Sequence, residues 1–202
     1  MKNIYVILIK SNTKIGFFIR KMTGYEYNHV IISVEDSLEP MYSFSRYNKE
    51  YAFDGGFVEE SWLRYINSKK VKYRVFKIPI NDDKYIKGKK ILEDMFEEKE
   101  KYQYSYKEAI MNYLNLENSN SNKKFTCLSF STFFLKKIEV IEKNKIVNSI
   151  KKLNNYLQVY EYEDRKLNNK EILKKTWGND KYLELSNKLY PRIIRIFKTI
   201  YQ

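Results

Sequence analysis

The chain has 202 residues, 43% hydrophobic and 31% charged, with six Gly, three Pro, one Cys and one His. This is globular composition of a size that one domain can hold, and it excludes disordered, collagen-like and linker-rich designs. A single Cys excludes an internal disulfide, and one Cys with one His excludes a Cys/His zinc site. The 38 basic against 25 acidic residues leave a net charge of +13, which invites nucleic acid or an anionic membrane as partner. Only seven of those basic residues are Arg, the better residue for planar phosphate recognition. The Lys excess is scattered and comes with abundant Asn, Ile and Tyr, a pattern that A/T-rich coding favours, so charge alone does not define a binding face.

The first apolar run, Ile4 to Ile9, is too short for a signal peptide. It reads as a buried strand rich in Ile and Val. No stretch approaches the roughly 20 apolar residues of a membrane helix, and the expected location is the cytoplasm. Ser11-Asn12-Thr13 is a candidate helix cap, followed by Ile15, Phe18, Ile19 and Met22 at helical spacing and a stop at Thr23-Gly24. Asn28 to Val34 and Met41 to Tyr47 read as strands, Gly55-Gly56 as a turn, and Lys70 to Ile80 as a fourth strand whose Pro79 end lies at an edge.

Two helices follow, one carrying Ile86, Ile91, Leu92, Met95 and Phe96, the other Tyr106, Ala109, Ile110, Tyr113 and Leu114. Glu117 to Lys124 is a polar loop. Phe125 to Lys137 opens an apolar helix with Thr126 as its N-cap. A further helix is expected over Ile146 to Leu153 and a last strand over Leu157 to Tyr162. Asn169 to Gln202 is basic and helical. Strands first, then helices, then one strand imply an α+β fold, with residues 1–168 as the main domain and 169–202 as an extension packed on it.

Cys127 stands one residue after the expected N-cap. Backbone N–H groups point outward there and the macrodipole favours an anion; the thiolate is the form of Cys that attacks carbonyls. The bland alternative is a small buried hydrophobe. His29 opens an apolar strand, a rigid support for a base; its bland alternative is a half-buried capping residue. Together the two supply the parts of a thiol–imidazole dyad.

The order of these segments, YNHVIISV before FTCLSFSTFFLKK, resembles the circularly permuted branch of the NlpC-type cysteine peptidase superfamily. The lead-in Thr23-Gly24-Tyr25-Glu26-Tyr27-Asn28-His29 and the stretch from Tyr42 to Val58 add to the likeness, which spans roughly residues 3 to 162. It implies a papain-like fold, mainly antiparallel, packed against the Cys-bearing helix. It also implies acyl transfer through Cys127 and His29, without a cofactor. Members often carry Tyr two residues before the Cys, where this chain has Phe125, and a carboxylate or amide on the strand after the His. Here that strand offers Ser43, Ser45 or the Tyr42 hydroxyl, and Ser43 is favoured as the third catalytic residue. The substrate class implied is a peptide, an isopeptide or a lipid-like acyl group.

Leu185, Leu189, Ile193, Ile196, Phe197 and Ile200 form an apolar stripe interleaved with Lys188, Arg192, Arg195 and Lys198. Such a helix either docks on the core or lies on an anionic membrane. Two other readings stand beside the enzyme: a non-enzymatic basic protein that binds nucleic acid or an anionic membrane surface, and a degenerate member that only binds acylated partners. The first would need clustered basic residues and aromatics on one face, and no such run or motif occurs, so specific nucleic-acid binding is not expected.

Overall fold

The computed structural model describes residues 1–11, 14–47, 54–65, 71–113 and 123–167. The expected C-terminal extension with its basic apolar stripe, and nearly all of the expected polar loop at 117–124, lie outside them. The described residues form an α+β fold: a six-stranded antiparallel sheet with five α-helices. The strands of the sheet are β1 (Lys2–Lys10), β2 (His29–Ser33), β3 (Met41–Arg46), β4 (Gly55–Glu60), β5 (Val71–Ile80) and β8 (Glu161–Leu167), in the order β4-β3-β2-β1-β5-β8. Two short strands, β6 (Gln103–Tyr104) and β7 (Lys124–Phe125), pair in parallel beside it. The helices are α1 (Lys14–Thr23), α2 (Asp82–Glu97), α3 (Tyr106–Tyr113), α4 (Cys127–Lys137) and α5 (Ile150–Leu157). None of the described helices is long and apolar enough to cross a membrane.

β1 is apolar on both faces because both are covered. Ile4, Val6 and Leu8 join Val30, Ile32, Phe44, Phe57, Phe76 and Ile78 under the helices. Tyr5, Ile7 and Ile9 join Ile31, Met41, Trp62, Tyr65 and Tyr73 on the opposite face. The helical layer centres on α4, where Phe130 lies 5.4 Å from Phe44 and 5.3 Å from Phe57 between ring centroids. β2 and β3 share the single pair Ile32–Tyr42, and α4 rests against both strands.

Gly55-Gly56 is strand, not the turn its composition implies. A Cβ on Gly55 would lie 2.7 Å from the Ser45 carbonyl, and one on Gly56 2.1 Å from Tyr47 Oη. Glycine serves close packing of β3, β4 and β6 here rather than chain reversal. With β4 in place, the strand expected fourth, at Lys70 to Ile80, is the fifth. Pro79 does lie past an edge: β8 pairs with Val71 to Lys77 and stops. The helix expected at Ile146 starts four residues later, because Ser149 caps it by accepting from Lys152 N at 3.2 Å. The strand expected from Leu157 starts at Glu161, because α5 takes in Leu157.

Candidate active site

α4 begins at Cys127 because Thr126 and Ser129 form a capping box. Thr126 Oγ1 accepts from Ser129 N at 3.1 Å, and Ser129 Oγ accepts from Thr126 N at 2.9 Å. Ser129 Oγ in turn donates to Glu108 Oε2 on α3 at 2.9 Å. Burial raises the Glu108 pKa against the lowering effect of these bonds. Cys127 therefore occupies the first helical position, 9% exposed, with its thiol free of any disulfide.

His29 opens β2 opposite Ile9. The residue before it is pinned: Asn28 Oδ1 accepts from Ser11 N at 2.9 Å and from Arg20 Nη1 at 3.0 Å. The imidazole lies within hydrogen-bonding reach of Cys127. Its Nε2 is 2.8 Å from Glu60 Oε1 at the end of β4. With Nε2 engaged by the carboxylate, Nδ1 is the ring nitrogen that Glu60 does not hold.

Glu60 is the residue that sequence reasoning missed. It is 2% exposed, and its carboxylate carries several partners besides His29. Ser43 Oγ donates to Oε1, Tyr65 Oη donates to Oε2 at 2.6 Å, and Arg64 Nη1 stands 3.4 Å from Oε1. Ser43, expected to orient the imidazole, instead supports the carboxylate that does so. The reason is register: Ser43 pairs with Val58 and Met41 with Glu60, so Ser43 and Glu60 fall on one face of adjacent strands. A turn at Gly55-Gly56 gives Glu60 no strand partner and no face. Once 55–60 is read as a strand, the alternation that faces Val58 with Ser43 also brings Glu60 to that face. Tyr42 belongs to the other face, stacked on Phe57 at 5.9 Å, and Ser45 Oγ accepts from Arg64 Nη2 at 2.7 Å.

The electrostatics follow from this arrangement. Burial of the His29 ring opposes its charge, but the Glu60 carboxylate, Cys127 and the hydrogen bonds to both push its pKa up to about 10. For Glu60, burial works to raise the pKa. The Arg64 and His29 charges, with bonds from His29 and Ser43, overcome it and hold the carboxyl well below the usual range. The Tyr65 hydroxyl, buried against Glu60, is held well above its ordinary value.

Beside Cys127 lies a cavity of about 280 Å³, lined by residues of α1, the segment before β2, α3 and the start of α5. Tyr25 and Tyr27 form part of its wall, edge to face with centroids 5.9 Å apart. Tyr27 is fixed by donating to Asp164 at 2.9 Å, and Arg74 holds that carboxylate through Nε at 2.7 Å and Nη2 at 2.5 Å. Comparison of the chain with protein-family models, curated proteins and solved structures finds no match.

Proposed function

We propose that the chain is a cysteine hydrolase or acyltransferase that cleaves an amide or ester bond, built on the permuted NlpC-type, papain-like plan. The observation that carries the reading is His29 bound to the Glu60 carboxylate and close to Cys127, which also lines a cavity. A carboxylate on one ring nitrogen and a nucleophile beside the ring is the arrangement that orients an imidazole for proton transfer. The third member is thus Glu60, with Ser43 as a positioning residue. A histidine that keeps its proton through neutral pH stabilises a neighbouring thiolate.

The chemistry runs in two steps. The Cys127 thiolate attacks the substrate carbonyl carbon, a C–S bond forms, and the carbonyl electron pair moves to oxygen. Backbone N–H groups at the α4 start, that of Cys127 among them, hold the oxyanion. The pair returns, the bond to the leaving nitrogen or oxygen breaks, and the His29 imidazolium protonates that atom. The neutral imidazole then takes a proton from water, or from another acceptor, whose oxygen attacks the thioester and releases Cys127. Peptide, isopeptide and lipid-like acyl donors all fit this bond class.

Intact mass after incubation with 4-nitrophenyl esters and amides tests the reading. The wild type should gain one acyl group on Cys127 and release 4-nitrophenol, and Cys127→Ala should do neither. Absence of acylation across acetyl, aminoacyl and longer acyl donors would overturn it.

A further inference from the structure

We infer that Arg64 is a positioning residue for the thiol chemistry, acting through Glu60: its charge offsets the carboxylate and leaves the His29 imidazolium able to stabilise Cys127 as a thiolate. This deepens the proposed hydrolase reading and rests on it.

The order of charges in the site carries the inference. Arg64 Nη1 stands 3.4 Å from Glu60 Oε1, and the same oxygen is 2.8 Å from His29 Nε2. His29 in turn lies within hydrogen-bonding reach of Cys127. Guanidinium, carboxylate, imidazolium and thiolate thus follow one another with alternating sign. The row is largely withdrawn from water: the Arg64 side chain is 9% exposed, that of His29 12% and that of Glu60 0%. Charges so placed act on one another more strongly than in water. A single imidazolium would have to serve two anions, the carboxylate and the thiolate, and two buried anions on one cation are poorly compensated. A second cation on the carboxylate supplies the missing charge.

Arg64 is anchored for that task. It lies in the single turn Trp62–Tyr65 that follows β4. Its Nη2 donates to Ser45 Oγ at 2.7 Å and to the Arg46 carbonyl at 2.6 Å, both at the end of β3. The planar guanidinium can therefore grip β3 through one nitrogen while the other faces the carboxylate. Ser43 and Tyr65 also donate to Glu60. Both are neutral, so they steady the carboxylate without offsetting its charge.

Iodoacetamide labelling of Cys127 at neutral pH, read beside histidine NMR, tests this. Arg64→Gln keeps a hydrogen-bonding side chain without the charge, and should label about fivefold or more slowly than wild type. Its imidazole should stay protonated at neutral pH, because Glu60 still faces the ring. That split between slow labelling and an intact imidazolium is what a loosened site would not show. Arg64→Lys keeps the charge and loses the fork, and should recover most of the wild-type rate. Labelling of Arg64→Gln at the wild-type rate, equal slowing in Arg64→Gln and Arg64→Lys, or a neutral imidazole in Arg64→Gln would overturn the inference. If Arg64→Gln does not fold, Arg64→Lys decides alone: recovery supports the inference, and labelling as slow as in His29→Ala overturns it. The hydrolase reading fails separately, if the wild type gains no acyl group on Cys127 from the 4-nitrophenyl donors.

Discussion

Glu60 holds His29 through Nε2 at 2.8 Å, from the far end of a strand that begins at two glycines. The pair sets the protonation of the only histidine in the chain. Its charge is an isolated reporter of the site.

Replacing Glu60 by Gln removes the charge that counters ring burial. In wild type the folded His29 pKa lies above the ordinary 6.5, at about 10. The stabilisation from this pairing is therefore complete below about pH 6.5 and is lost as pH rises through about 10. Histidine NMR should show a single imidazole that stays protonated through neutral pH in wild type. In Glu60→Gln its midpoint should fall toward or below 6.5, because the ring stays buried while its carboxylate partner is gone. An unchanged midpoint would separate His29 protonation from Glu60.

Ser43 touches Glu60 rather than the ring, so Ser43→Ala should act weakly. One of several bonds to the carboxylate is lost, which costs about 1 kcal/mol of stability by denaturant titration. The ratio kcat/KM should fall by only a fewfold. Glu60→Ala should be far more severe, since it strands Arg64 and Tyr65 in a buried site, at about 3–5 kcal/mol. Equal losses in the two variants would mean that Ser43 acts on the imidazole directly.

Gly56→Ala should destabilise the site from a distance. The added Cβ would meet Tyr47 Oη at 2.1 Å and the Tyr102 carbonyl at 2.7 Å, and the second of these is backbone that cannot step aside. Overpacking of this kind costs about 1–3 kcal/mol. A lower Tm together with slower Cys127 alkylation is expected, because β4 carries Glu60 at its other end.

Much of this site is readable from the sequence because its signals are local. Thr126 before an apolar helix marks where α4 starts, and so places Cys127 at its first turn. Ile and Val after His29 mark β2. The rest depends on pairing across distance. Nothing next to Glu60 shows that β4 lies two strands away from His29, and Gly55-Gly56 carries turn chemistry until the crowding by Ser45, Tyr47 and Tyr102 is seen. Ser43 illustrates the same limit. Its face follows from alternation, but whether it meets the ring or a carboxylate is decided by the register Ser43–Val58 and Met41–Glu60. The late shift of α5 to Ile150 follows from Ser149, a cap that hydrophobic spacing alone passes over.

The most direct test of the Cys127–His29–Glu60 arrangement is the rate of Cys127 alkylation by iodoacetamide at neutral pH. The chain has one cysteine, so the reading is unambiguous. Wild type should label fast at neutral pH, since an imidazolium beside the sulfur favours its attacking form. His29→Ala should label about tenfold or more slowly at neutral pH. Equal rates in the two proteins would contradict the dyad.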